Sequence, residues 1–352
     1  MALDHPSAVA RNALVVIAVI LAGAALRSLA DVLTPLLLAM FLAVMVDSLS
    51  RQLSGRVPAL PTGLATVLAV SVAAGAFFIA VLILASRAGG FVETLSSAQP
   101  RLIGLLTAGA QSLRISQPGT AARMALSLDP TAYLGRIALA FQGFLSEALF
   151  VLVYLGFLIA SKHAFGRKAV KLFAGRPARQ NALRVFESVR DSVERYLWIQ
   201  TVTGLMIAVV SWAVMAMVGL QNAIFWGFLI FIVNYVPIFG ALVAILLPTL
   251  FAVVQFPGPW QAVAVGGGLW LVTFIVGNVV LPRMQGDSLN MDPLVVLLSL
   301  AFWGALWGLA GMFLSTPLTV LAMLILAQFD GTRWLAVLLS ADGEPDRALR
   351  RG

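Results

Sequence analysis

The chain has no cysteine, and its two histidines, His5 and His163, lie outside its long apolar runs. Disulfides, thiol nucleophiles and thiolate-bound metals are therefore excluded, and no apolar run pairs a nucleophile with a base or one acid with another. No glycine-rich loop ending in Lys-Ser or Lys-Thr is present, so the chain drives nothing by nucleotide hydrolysis of its own. Charge is missing over the greatest length: from Tyr196 to Pro282, 87 residues pass without Asp, Glu, Lys, Arg or His. These absences argue against an enzyme and leave no call for a cofactor or a metal.

What is present is hydrocarbon. The 352 residues are 61% hydrophobic and 11% charged, with a mean hydropathy of +0.97. That composition belongs to an all-α polytopic membrane protein whose first partner is the lipid bilayer. A bilayer core about 30 Å thick takes a helix of about 20 apolar residues, so the uncharged stretch has room for three spans. Gly219-Leu220-Gln221-Asn222 and Gln255-Phe256-Pro257-Gly258-Pro259 read as the loops between them, because Gly and Pro stop helices. The spans are then Leu197–Val218, Ala223–Val254 and Trp260–Leu281.

In chain order, the apolar runs Asn12–Leu26 and Val32–Val46 read as a short helical hairpin flanked by Arg27, Asp31, Asp47 and Arg51. A third span, Gly63–Ser86, starts after Pro58 and Pro61. Residues 87–136 form a polar excursion with short amphipathic stretches. The fourth span, Ile137–Ser161, closes the 12–161 region and carries Glu147. Lys162–Arg195 holds nine basic residues and marks the cytoplasmic side. Val185, Val189, Val193 and Tyr196 fall on one helical face, and Glu187 with Arg190 and Asp191 with Arg195 are expected as surface pairs. Set between apolar spans, this basic segment reads as a solvated surface facing anionic headgroups, so no nucleic-acid partner is expected. A second uncharged run, Pro293–Phe329, would be about 55 Å long as one straight helix, so it tilts or breaks near Gly304, Gly308, Gly311 or Pro317. The tail, 330–352, with Arg333, Arg347, Arg350 and Arg351, is placed on the cytoplasmic side. Eight crossings of a single membrane domain, both termini cytoplasmic, place 16 of the 23 Lys and Arg inside.

Within the uncharged stretch, Asn234, Pro237 and Gly240 interrupt a span, Pro248 follows, and Gly277, Asn278 and Pro282 interrupt the next. Unpaired backbone does not survive in hydrocarbon, so such breaks are either buried kinks or the lining of a wet cavity. Pro237 removes the donor for a carbonyl near Val233, which Asn234 could satisfy or present to a solute. Arg283, Gly286, Asp287 and Asp292 follow as a gate or a solvated loop. Glu147 and Asp47 are the candidate proton or cation sites, with headgroup-facing structural roles as the alternative. Gly304, Gly308 and Gly311 form a small-residue face suited to close helix packing.

The string from Asn234 to Gly240, then Pro248, Ile275 to Leu289, Pro293 to Gly304, Gly308, Gly311 and Pro317-Leu318 resembles the autoinducer-2 exporter family of bacterial membrane proteins. The match is specific over 196–329 and rests on layout in the N-terminal half. The resemblance implies an eight-span, homo-oligomeric inner-membrane transporter, one branch of which exports the quorum-sensing signal autoinducer-2 and another of which is linked to sodium or lithium exchange for protons. Independently of the resemblance, the breaks suggest a solute or ion pathway through Asn234, Pro237, Gly240, Pro248, Gly277, Asn278, Pro282, Arg283 and Gly286. Relatives carry Glu just before the proline at 282 where this chain has Leu281, and Pro near Asp47-Ser48, so cation coupling here would fall to Asp47 or Glu147. Three function classes stand: exporter of a small polar solute, cation–proton antiporter, and non-transporting scaffold.

Overall fold

The computed structural model describes residues 8–57, 61, 63–76, 78, 79, 82, 86, 104, 143, 146–161, 176–285 and 290–345. The 87–136 excursion, apart from residue 104, lies outside them, as do the ends of the third and fourth expected spans, residues 162–175, and Gly286 and Asp287. The described elements are helices: α1 (Ala8–Ser28), α2 (Ala30–Arg56), α3 (Gly63–Ala76), α4 (Ser146–Ser161), α5 (Arg176–Val218), α6 (Ala223–Val233), α7 (Phe239–Gln255), α8 (Pro259–Ile275), a π-helical segment (Val276–Val280), α9 (Leu281–Gln285), α10 (Pro293–Leu326) and α11 (Arg333–Leu339). Four apolar helical stretches are long enough to cross a membrane, Ala30–Arg56, Leu183–Val218, Pro259–Gln285 and Pro293–Leu326. Large apolar side chains lie bare on the helices, Leu14, Val19 and Ile20 on α1, Met217 on α5 and Val263 on α8, as lipid requires.

The chain forms two compact units, one of 44–149 with 190–289 and one of 1–43, 150–189 and 290–352. Helix α5 runs unbroken for 43 residues from its amphipathic start into the uncharged stretch, and from residue 190 on it belongs to the first unit. Its buried side bears Val193 and Tyr196, continuing the face read from the sequence. Arg190, expected to pair with Glu187, instead binds Asp47 of α2.

Helices α6 and α7 do not form one interrupted span. Gln255 at the end of α7 donates from Nε2 to the Gly219 carbonyl at 3.0 Å and accepts from the Gln221 N–H at 2.8 Å, so the end of α7 lies beside the entry to α6. Trp226 meets Phe251 across the pair with centroids 5.3 Å apart. The expected crossing Ala223–Val254 is therefore a helical hairpin that returns to the level it left. The reason is length: the 11 and 17 residues of its arms reach about 16 and 25 Å, less than the hydrocarbon core demands. Apolar residues of α5 to α8, among them Met215, Ile230, Phe251, Val265 and Leu269, form the core of this unit.

In the second unit α10 also turns back. Trp307 (φ −129°, ψ 17°) and Gly308 (φ 61°, ψ −141°) leave helical geometry, and the positive φ is one that glycine alone adopts without strain. Trp303 then donates from Nε1 to Thr319 Oγ1 at 3.1 Å, sixteen residues along the chain. A Cβ on Gly311 would sit 2.0 Å from the Trp303 carbonyl oxygen, so the arms touch backbone to backbone. At the open end Met291 bridges Ser340, and the Asn290 carboxamide donates to Asp342 Oδ1 and to the Glu344 carbonyl. Residues 293–326 thus return to the side they entered, and the expected crossing of Pro293–Phe329, with residues 282–293 and the tail on opposite faces, is corrected. The glycines serve the reversal: Gly308 bends it, Gly311 lets the Trp303 carbonyl approach, and Gly304 faces Met312 of the other arm. The tip is fixed to the α1–α2 junction, where Trp307 Nε1 donates to the Leu26 carbonyl at 2.9 Å and Arg27 Nη1 donates to the Ala305 carbonyl at 3.1 Å.

Both reversals bear on sidedness. A Cys introduced at the exposed Gln180 of this cysteine-free chain should resist membrane-impermeant thiol reagents in intact cells, and so should one at Ala341 beside Asn290. Ready labelling of the Gln180 position would invert the orientation; labelling of only one of the two would mean that one of the two hairpins is a crossing.

Candidate transport site

The tip of the α6–α7 hairpin is the interruption itself. Tightened i to i+3 bonds close α6, with Tyr235 N–H donating to the Ile232 carbonyl at 3.3 Å and Val236 N–H to the Val233 carbonyl at 2.9 Å. The Val233 carbonyl, expected to lack a donor, is thereby satisfied by backbone rather than by the Asn234 side chain. Pro237 cannot donate, and the chain turns within three residues: Phe239 N–H reaches the Pro237 carbonyl at 2.6 Å around Ile238 at φ 63°, ψ −56°. This is the strained form of the γ-turn, on a β-branched residue that pays sterically for a positive φ. Gly240 closes the turn because a Cβ there would lie 2.0 Å from the Val233 carbonyl oxygen and 3.1 Å from the Asn234 Cα.

Beneath the tip lies the polar patch of α5, Gln200-Thr201-Val202-Thr203-Gly204. Gln200 donates from Nε2 to the Asn234 carbonyl at 3.1 Å, which holds the backbone the turn has freed. Thr201 Oγ1 and the Tyr235 hydroxyl share a 2.7 Å hydrogen bond, and Phe231 meets the Tyr235 ring edge-on at 5.7 Å. Gly204 makes room for the Asn234 carboxamide: a Cβ there would be 3.0 Å from Nδ2. That carboxamide is half-buried and makes no hydrogen bond among the described residues. Its atoms are not sealed from solvent, so a water or a solute can complete its hydrogen bonds.

The second interruption behaves differently. Val276–Val280 is a π-helical turn, one residue wider than the α-helix, and it delivers the chain to Pro282, whose missing N–H the wider turn accommodates. Asn278 is exposed and folds back, donating from Nδ2 to the Phe274 carbonyl at 2.9 Å. The two asparagines therefore have separate partners. Val233 and Val280, one beside each interruption, pack against the same apolar cluster. Gly277 has open space around it, Pro282 and Arg283 are exposed, and Pro248 is fully buried in α7. Of the candidate acids, Asp47 accepts from Arg51 and Arg190, and Glu147 is exposed in the first described turn of α4.

Gln200, Thr201 and Gly204 were not singled out by sequence. Their signal is the one dense polar cluster in the first span of the uncharged stretch, and only the fold shows that it faces the hairpin tip.

Long apolar helices and a hairpin whose unwound tip rests on polar side chains of α5 describe a helical membrane protein. The comparisons give its kind. The family model described as "AI-2E family transporter" matches residues 14–330, and the chain belongs to that family. The AI-2 transport protein TqsA of Escherichia coli is 30% identical over 331 residues, covering 92% of each chain. A relative from Haemophilus influenzae is 29% identical over 344 residues, covering 94% of this chain and 96% of its own. The Escherichia coli protein YhhT is 28% identical over 335 residues, with 94% and 93% covered.

Proposed function

We propose that the chain exports a small polar solute of the autoinducer-2 type from the cytoplasm, and that the solute engages Asn234 at the tip of the α6–α7 hairpin. The observation that carries this reading is the unpaired Asn234 carboxamide beside Gly204, within an otherwise satisfied polar patch. An amide offers one acceptor and two donors and suits a hydroxylated, uncharged ligand. Support for the solute class comes from TqsA, whose name states AI-2 transport. Gly277, Asn278, Pro282, Arg283 and Gly286 extend the pathway in this reading, with the wide turn at Val276–Val280 as its yielding element.

The cation-exchange alternative needs a carboxylate in the pathway that can lose its partner. Leu281 leaves no carboxylate just after the π segment, and Asp47 is shared between two guanidiniums, so the solute reading is favoured. Proteoliposomes holding the purified protein should take up labelled autoinducer-2 without a sodium gradient, and Gln200→Leu should cut the rate about tenfold by releasing the Asn234 carbonyl. Flux that requires sodium, or a Gln200→Leu variant with normal flux, would reject the assignment.

A further inference from the structure

The last turns of α2 are joined to α5 by a set of charges that the transport chemistry does not use. Arg51 donates from Nη1 to Asp47 Oδ2 at 2.7 Å and from Nη2 to Glu194 Oε2 at 2.5 Å. Arg190 donates from Nη2 to the same Asp47 oxygen, and Ser48 Oγ donates to Glu194 Oε1 at 2.6 Å. Each carboxylate thus serves two donors, and Arg51 grips both helices at once. The side chains are between 21% and 47% exposed, so water screens them only in part.

One exposed ion pair would mean little, because it is screened and costs side-chain entropy to hold. A closed set is different. Charge-assisted bonds from one guanidinium to two carboxylates fix direction as well as distance. Moving α5 by one residue would slide it about 1.5 Å and turn it about 100°, which such a set resists. The site depends on that register. Thr201 follows Glu194 by seven residues, nearly two turns, so Glu194, which binds Arg51 and Ser48, and Thr201, which bonds Tyr235, share one face of α5.

We propose that Asp47, Ser48, Arg51, Arg190 and Glu194 form a positioning clamp that sets the depth and rotation of α5, so that Gln200 and Thr201 hold the hairpin tip. The clamp stays closed while solute passes. Its bearing on flux rests on the reading that this tip carries the solute, but its effect on the tip does not.

The test uses the full chain, which has no native cysteine, with Val236→Cys as a reporter at the tip, where Val236 is only 7% exposed. Neutralising the clamp with Asp47→Asn and Glu194→Gln together should raise the maleimide reaction rate of the reporter about tenfold and lower autoinducer-2 flux about tenfold. Asp47→Glu should keep both near the parent. If the double variant fails to fold, Arg51→Gln alone should give an intermediate rise, since Arg51 is the member bonded to both acids. An unchanged labelling rate in the neutralised chain, or a thermal-stability loss with labelling unaltered, overturns the clamp. A raised labelling rate with normal flux supports the clamp and rejects the solute assignment at the tip. In a further chain carrying Asp47→Cys and Arg190→Cys, a short bismaleimide bridge should restore flux; flux blocked by the bridge would make these residues a moving gate and overturn the proposal.

Discussion

Asn234→Leu should abolish autoinducer-2 flux in proteoliposomes, by about fiftyfold or more, while leaving the thermal midpoint in detergent within about 2 °C of the parent. The two halves of this expectation come from one observation. The Asn234 side chain makes no hydrogen bond among the described residues, so its loss removes no internal bond. Leucine is close in shape, and the backbone bond from Gln200 to the residue 234 carbonyl survives it. If the amide were internal glue, stability and flux would fall together. Should Asn234→Leu transport normally, the solute passes elsewhere, and the wide turn around Asn278 becomes the place to look.

Gly240→Ala should have the largest effect on folding. A methyl at that position would enter the Val233 carbonyl, 2.0 Å from its oxygen and 2.7 Å from its carbon, and both are backbone atoms of a turn already strained at Ile238. Relief requires opening the tip, which breaks the Val236 to Val233 and Gly240 to Val236 bonds. Overpacking of this kind costs about 3 kcal/mol, enough to shift the thermal midpoint by more than about 5 °C or to prevent assembly. Gly311→Ala should behave likewise, because its methyl would meet the Trp303 carbonyl at 2.0 Å. Gly267→Ala, with nothing within 4 Å, is the control and should be neutral or slightly stabilising. Equal, small effects at all three positions would mean that neither hairpin closes as described.

Composition and hydropathy made the membrane class legible, since no soluble core needs 87 uncharged residues in a row. The breaks were legible as well: Pro237, Gly308 and Pro282 each sit at or next to a real departure from α-helix. Their outcome was not. Proline and glycine say that a helix stops, but whether the chain continues across or turns back depends on contacts such as Gln255 with Gly219, or Met291 with Ser340, between residues far apart in sequence. Hydropathy has no memory of direction, so two hairpins read as two crossings. Polar partners were hidden for a similar reason. Gln200 and Thr201 are ordinary polar residues in a span until the tip of another element is set against them, and the π turn at Val276–Val280 leaves no mark beyond the nearby Gly277 and Pro282.

The central claim is that the tip of the α6–α7 hairpin meets the solute. Ile238 sits at the apex of the γ-turn with its side chain exposed, and Ile238→Cys would be the one thiol in the protein. The rate at which a small thiol reagent modifies it in proteoliposomes should fall at least fivefold as autoinducer-2 is raised to saturation, with a midpoint equal to that of transport. A modification rate indifferent to solute, in a variant that still transports, would contradict the account.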